Sequence, residues 1–180
     1  IRAPFQPPAP SGLIELIIEP KMSFGTGHHS TTSLMIEQML EMDLEGKSLL
    51  DMGSGSGVLA ILAKKIGAEK ILATDIDDWA IENSIENCKR NQTEDIEIQK
   101  GDYRLLKNLD FDIILANINR NVLLNDMEAY VVSLNQGGEL VISGFLTEDV
   151  SVLNEKAKSL GLQVLKEKHH EGWASVSYKK

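Results

Sequence analysis

The chain has 180 residues, 42% hydrophobic and 25% charged, the size and balance of one compact domain with enough apolar side chains to close a core, which excludes disorder of the whole. Its longest apolar runs, LIELIIEP and IILANI, fall far short of the roughly 20 residues that a membrane-spanning helix needs, and its start carries no basic, apolar, cleavable signal. A net charge of −9 opposes a grip on phosphate backbones, so no direct nucleic-acid binding is expected, and the single Cys88 cannot form an internal disulfide, which suits a reducing cytoplasm.

IRAPFQPPAP, with four prolines in ten residues, cannot form a helix and is expected to be a linker or an extended arm. Leu13–Glu19 follows as a short strand. Then comes MSFGTGHHSTTS, Met22 to Ser33, a polar loop broken by glycines before anything that resembles a core. Over Thr31–Met42 the apolar Leu34, Met35, Met39 and Leu40 recur at helical spacing. After Gly46 strand and helix alternate: SLLDM, a helix over Val58–Ile66, KILATD, a helix over Trp79–Arg90, IEIQK, a short connection, FDIILAN, a helix over Val122–Leu134, ELVIS, and a helix over Asp149–Leu160. These strands are apolar on both faces, as buried parallel strands are. The order predicts an α/β fold, an open and mostly parallel sheet with helices on both faces. QVLKEKHH and WASVSY, separated by Glu171 and Gly172, predict a hairpin, so one of the last two strands runs antiparallel.

In such sheets ligands sit beyond the carboxyl ends of the strands. In LLDMGSGSGVLA, Asp51 ends a strand, and Gly53, Gly55 and Gly57 form a turn whose backbone can approach a ligand before a helix begins. A tight turn needs only one glycine. The dinucleotide spacing G-x-G-x-x-G/A asks for a small residue where the chain has Val58; the run is D-x-G-x-G-x-G, which resembles the first motif of Rossmann-like S-adenosylmethionine-dependent methyltransferases. Asp75 ends the next strand, where a carboxylate can accept both hydroxyls of a ribose; this suits NAD equally. Asp77 and Asp78 suit the start of the following helix. In KGDYR, Gly101 and Asp102 stand where an adenine ring could lie, with Asp102 accepting its exocyclic amine; a capped turn is the alternative. The fourth strand ends at Asn117, whose amide would cost about 1 to 3 kcal/mol if buried unpaired. Methyl transfer is an in-line displacement that asks the protein chiefly to hold a neutral amine in place, and the Asn117 carbonyl could accept a hydrogen bond from that amine. Asn117 is the candidate catalytic residue.

EPKMSFGTGHHSTT, the D-x-G-x-G-x-G turn, LATDID, LANI and the closing GWASVSY together resemble the ribosomal protein L-eleven methyltransferase (PrmA) family over nearly the whole chain, and FGTGHHSTT is the most diagnostic part. The resemblance implies a seven-stranded methyltransferase sheet. It also implies transfer of methyl groups from S-adenosyl-L-methionine to lysine side chains and the N-terminal amine of a large-subunit ribosomal protein. Thr32, Gly53, Asp75 and Asn117 match the family's cofactor positions, with Phe24, Gly25 and Thr26 flanking them; Asp51, Gly55, Gly57 and Asp102 complete the expected cofactor site. In this reading the FGTGHHSTT loop folds over the cofactor, with Phe24 on an apolar face and Thr32 donating to the methionine end. The chain departs from the family's Pro-Gly-Met-Ala at Lys21 and Ser23. Family members carry a small amino-terminal domain that recruits the substrate. Residues 1–20 are therefore expected to be arm and strand and 21–180 the catalytic domain, with that recognition domain absent and substrate recognition weakened more than cofactor binding.

No metal is expected, since adjacent His28 and His29 lack a third ligand of matching spacing; a solvated or substrate-facing pair is the simpler reading. His169 and His170 suit the surface, Cys88 a packed helix face, and Trp79 and Trp173 core or edge packing. Three other readings compete. An NAD-dependent oxidoreductase would share Asp75 but not Val58 or the final hairpin. A nucleic-acid adenine or glutamine methyltransferase would show Asn-Pro-Pro-Tyr where the chain has Asn117, Ile118, Asn119 and Arg120. A module that holds the cofactor without turnover would not need Asn117.

Overall fold

The computed structural model describes residues 1–19 and 29–180. Their strands are β1 (Ser48–Met52), β2 (Lys70–Asp75), β3 (Glu97–Lys100), β4 (Phe111–Asn117), β5 (Leu134–Leu146), β6 (Gln163–His170) and β7 (Trp173–Lys179), and their helices are α1 (Ser30–Met39), α2 (Val58–Lys65), α3 (Asp78–Asn91), α4 (Arg120–Val132) and α5 (Val150–Ser159). All seven strands form one sheet in the order β3-β2-β1-β4-β5-β7-β6. The first five pair in parallel, and β7 enters antiparallel between β5 and β6. The expected Rossmann-like α/β architecture is present, with its antiparallel strand near the C-terminus.

Alternation along the strands builds two cores, because successive side chains point to opposite faces. Leu49, Ile71, Ala73, Ile113 and Leu115 face one cluster with Met35 and Met39 of α1, the apolar side of α2 and Cys88 of α3. Leu50, Leu72, Ile114 and Ala116 face the other, with Leu123, Met127 and Tyr130 of α4 and Leu153 and Ala157 of α5. Local signals fix the element ends. The Asp77 carboxylate accepts the Trp79 amide at the start of α3, and Gln92 ends that helix in the left-handed region. Between β6 and β7, Glu171 (φ 49°) and Gly172 (φ 80°) both take positive φ, the requirement of a two-residue hairpin turn that matches strand twist.

Several expectations change. Leu13–Glu19 is not a strand among the described residues: only Ile17 bridges, to Arg2, while Leu16 and Ile18 are buried and Leu13 and Ile14 exposed. The proline-rich arm is folded back and not a free linker, with Arg2 paired to Glu15 at 2.7 Å and the Ala9 amide donating to the same carboxylate. β3 lies at the sheet edge and is half-exposed, so it is not apolar on both faces. The fourth expected helix stops at Val132, and β5 begins at Leu134, reaching its regular register with β4 only at Glu139 after an irregularity. Trp79 is exposed at 69% and does not pack in the core.

The register of β5 against β7 shifts between Ser143 and Phe145, and Gly144 lies at that shift with φ +96°. A Cβ there would stand 2.4 Å from the Ile118 carbonyl oxygen, a backbone atom that cannot step aside. Gly144→Ala is expected to cost about 2 to 4 kcal/mol, read as a fall of roughly 5 to 15 °C in Tm by circular dichroism; an unchanged Tm would show that the bulge is not constrained.

Candidate functional site

The parity that builds the cores also brings the polar strand ends together. Asp51 is two residues past Leu49, Asp75 two past Ala73, and Asn117 two past Leu115. All three therefore project from the carboxyl edge of the sheet on the side of α1, α2 and α3. β1 is central, flanked by β2 and β4, so the turn that leaves it lies between Asp75 and Asn117.

Gly53, Gly55 and Gly57 all have positive φ, at 73°, 55° and 78°, so the spaced glycines meet a conformational need and not only a steric one. The Gly53 and Ser54 amides donate to the Thr74 carbonyl at 2.8 and 2.9 Å. The Gly55 amide donates to Asp75 Oδ2 at 2.9 Å, while Asp75 Oδ1 accepts the Asp77 amide at 3.1 Å. A Cβ on Gly53 would meet Ile118 Cγ2 at 2.3 Å, which brings the residue after Asn117 against the turn. Ile118 was not among the sequence candidates; no periodicity marks it, and only the β1–β4 pairing puts it there.

Asn117 Nδ2 donates to Thr32 Oγ1 at 3.4 Å, joining two candidates 85 positions apart in the chain. Thr32 is buried in α1, and Asn117 is half-buried. Among the described residues the Asn117 carbonyl oxygen has no hydrogen-bond partner. Asp102 caps the 3-10 turn Tyr103–Leu106, accepting the Arg104 amide at 3.0 Å and pairing with the Arg104 guanidinium at 3.1 Å. It thus serves as a capped turn whatever else it meets. Phe24, Gly25 and Thr26 lie outside the described residues, as does His28. His29 caps α1, its Nδ1 accepting the Thr31 amide, and its ring meets Trp173 edge-on at 4.9 Å. It is an exposed residue that also serves as a cap and a ring contact. A cavity of about 240 Å³ is lined by Asn119, Arg120, Phe145, Asp149 and Trp173 among others, with Arg120 paired to Asp149 at 2.6 Å.

Sequence reasoning also missed the polar side of α3. Asn83, Ser84, Asn87 and Asn91 are buried, and Ser84 Oγ and Asn87 Nδ2 donate to the Gly55 and Ser56 carbonyls, each at 2.9 Å. Asparagine at every fourth position in ENSIENCKRN was the only trace in the sequence, and by itself it does not distinguish a buried row from a solvated face. Among the described residues no group of His, Cys, Asp and Glu is placed to hold a metal, and no described helix is long and apolar enough to cross a membrane. Burial pushes the Cys88 thiol up to about 11, which keeps it an inert packing group.

Asp51 is fully buried, and its carboxyl is pushed up from 3.8 to about 7, first by burial and further by the charge of Asp75, against the opposing hydrogen bond from the Ala60 amide at 3.1 Å. A carboxyl raised in the folded state holds its proton there at pH values where the unfolded chain has lost it. Its contribution to stability is therefore most favourable below the unfolded value, near 4, and is lost as pH rises through about 7. The full swing is on the order of 4 kcal/mol. Asp51→Asn keeps an acceptor for Ala60 and removes the charge. Its Tm relative to the unsubstituted chain is expected to improve by about 5 °C or more between pH 5 and pH 8. A difference that does not vary with pH would show that Asp51 is ionised throughout.

The family model of ribosomal protein L11 methyltransferase (PrmA) matches residues 4–180. The ribosomal protein L11 methyltransferase of Porphyromonas gingivalis is 51% identical over 179 residues, covering 99% of this chain and 62% of that protein. The one from Bacteroides thetaiotaomicron is 45% identical over 179 residues, covering 99% and 64%. Among solved structures, the ribosomal protein L11 methylase of Lactobacillus delbrueckii subsp. bulgaricus superposes with a TM-score of 0.85 at 29% identity, covering 91% of this chain and 83% of that one. A methyltransferase from Pyrococcus furiosus superposes at 0.78 with 22% identity, covering 94% and 91%, a likeness of fold. The chain thus spans between 62% and 64% of the length of these two curated relatives. With a family model matched from residue 4 to the last residue, and a fold shared with a solved member, this chain belongs to the ribosomal protein L11 methyltransferase (PrmA) family.

Proposed function

We propose that residues 21–180 act as the catalytic domain of an S-adenosyl-L-methionine-dependent methyltransferase, which in the cytoplasm methylates lysine side chains and the N-terminal amine of ribosomal protein L11. The observation that carries this reading is the convergence of Asp75, the glycine turn and Asn117 on one face of the carboxyl edge. The donor set fits the cofactor. Each Asp75 oxygen accepts one amide, and a carboxylate offers about four acceptor sites in all, so lone pairs are left for two ribose hydroxyls. Gly53, Gly55 and Gly57 present backbone beside them without side chains. Asp51 lies beneath the turn and Asp102 at the neighbouring strand end, next to where an adenine would lie. Thr32, and in sequence Phe24, Gly25 and Thr26, would complete the enclosure.

When bound, S-adenosylmethionine supplies an electrophilic methyl group on a sulfonium. The chain's own residues have to deliver a neutral amine and hold its lone pair in line. The Asn117 amide suits that role: its Nδ2 is engaged by Thr32, which fixes the plane and leaves the carbonyl oxygen to accept an N–H of the incoming amine. As the nitrogen gains positive charge on methylation, that hydrogen bond becomes charge-assisted and strengthens where it helps the reaction. The cavity lined by Asn119, two positions beyond Asn117 in the chain, and by Phe145 and Trp173 would be the approach for the amine. The net charge of −9 favours encounter with a basic, lysine-rich partner.

The test is calorimetric titration of the chain with S-adenosylhomocysteine, with NAD as the control. Binding of S-adenosylhomocysteine alone is expected, weakened about tenfold or more by Asp75→Ala. Asn117→Ala is expected to lower methyl transfer to ribosomal protein L11 by about a hundredfold beyond any loss of cofactor affinity. Binding of NAD in place of S-adenosylhomocysteine would sink the proposal, and methyl transfer by Asn117→Ala at the unsubstituted rate would remove Asn117 from the chemistry.

A further inference from the structure

Helix α3 turns a polar stripe toward the molecule where a core helix would bury apolar side chains. Asn83, Asn87 and Asn91 recur at every fourth position, one above the other on the helix surface, and each is 6% exposed or less. Amides in that position are tolerated only when paired, and their partners lie in two different segments. On one side Asn87 Nδ2 donates to the Ser56 carbonyl at 2.9 Å, within the glycine turn. On the other, Asn87 Oδ1 accepts the Glu19 amide at 3.0 Å. Asn91 closes a two-way bond with Ile17, accepting its amide at 2.9 Å and donating to its carbonyl at 2.7 Å. Arg90 reinforces the same place, with its guanidinium 3.4 Å from Glu19 and 3.5 Å from Asn87 Oδ1.

One side-chain amide therefore holds both the Ser56 peptide and the arm. The four hydrogen-bonding sites of Asn87 are all in use: Nδ2 donates to Ser56 and, at 3.4 Å, to Asn83, and Oδ1 accepts from Glu19 and Arg90. Such an amide cannot rotate to follow a displaced arm without drawing Nδ2 away from the Ser56 carbonyl. Nor can it keep that bond without leaving a buried oxygen short of a partner when Glu19 departs. We infer that Asn87 is a positioning residue that couples docking of the arm at Ile17–Glu19 to the conformation of the glycine turn, with Asn91 as the clamp that keeps the arm in place. The inference rests on the cofactor reading above and extends it: the arm, although it touches no candidate cofactor residue through these bonds, contributes to cofactor affinity. Because coupling between sites is reciprocal, ligand at the turn must also steady the arm.

The experiment combines calorimetry with S-adenosylhomocysteine and amide hydrogen exchange on the full 180-residue chain and two variants. Asn91→Ala removes the clamp without touching the turn. Asn87→Asp keeps an acceptor for the Glu19 amide and loses the donor to Ser56. In the unsubstituted chain, S-adenosylhomocysteine is expected to slow exchange at Ile17 and Glu19 several-fold. Asn91→Ala is expected to speed exchange at both amides and to weaken S-adenosylhomocysteine about fivefold or more. In Asn87→Asp the ligand is expected no longer to slow exchange at Glu19, an uncoupling that a merely structural role would not produce. Binding to the unsubstituted chain with no change in exchange at Ile17 and Glu19, or binding to Asn91→Ala within twofold of the unsubstituted chain, overturns the inference and leaves the cofactor reading standing. The first of these needs no variant to fold. Failure of the unsubstituted chain to bind S-adenosylhomocysteine overturns the cofactor reading and this inference with it.

Discussion

The hydrogen bond from the Gly55 amide to the Asp75 carboxylate closes the turn after β1 onto the end of β2, and the candidate site depends on it. Parallel strands deliver all their carboxyl ends to one edge, but the backbone beyond them has no ladder partner and must find other bonds. Here the turn uses the Thr74 carbonyl below, Asp75 beside it and two side chains of α3 above. The positive φ of its glycines is the geometric condition for reaching all of these at once. Asp51 bears the cost. Buried under the turn and close to Asp75, it cannot hold its charge cheaply, and its titration moves to about 7. A site that assembles two carboxylates at neighbouring strand ends keeps one of them available to solvent and ligand, and partly neutralises the other.

The sheet was legible in the sequence because its central strands are buried on both faces and end abruptly at polar residues. SLLDM, KILATD and FDIILAN coincide with β1, β2 and β4 residue for residue. The same reading failed for Leu13–Glu19 for a physical reason. Leu16 and Ile18 are buried as an alternating strand requires, yet the backbone bonds between them go to the side chain of Asn91 and to Arg2 instead of a neighbouring strand. Alternation reports which side chains are buried, not which groups satisfy the backbone. The polar stripe of α3 was overlooked for the converse reason: asparagines at helical spacing look like a solvated face unless the partners that bury them are known. Within the candidate site, the placement of Asp51, Asp75, Asn117 and the three glycines was legible because each sits at or next to a strand end or in a turn. Ile118 and Ser84 could not, since their roles arise from contacts between elements far apart in the chain.

The antiparallel strand has a consequence for the site that a parallel seventh strand would not. Since β7 runs against β5, its first residue, Trp173, pairs with the last residue of β5, Leu146, and so lies at the carboxyl edge of the sheet. The tight turn at Glu171 and Gly172 is thereby brought to the same edge, where Glu171 accepts a hydrogen bond from Ser30 at 2.7 Å and Trp173 meets the His29 ring. Both contacts fall at the first turn of α1, two or three residues before Thr32. A parallel strand in that place would deliver its end to this edge and leave a connection to build before any hairpin tip could reach α1. The reversal of one strand thus lets the chain's last hairpin brace the helix that holds Thr32 against Asn117. It also places Trp173 in the wall of the cavity lined by Asn119 and Arg120, so one topological choice shapes both the support of the candidate catalytic amide and a cavity at the same edge of the sheet.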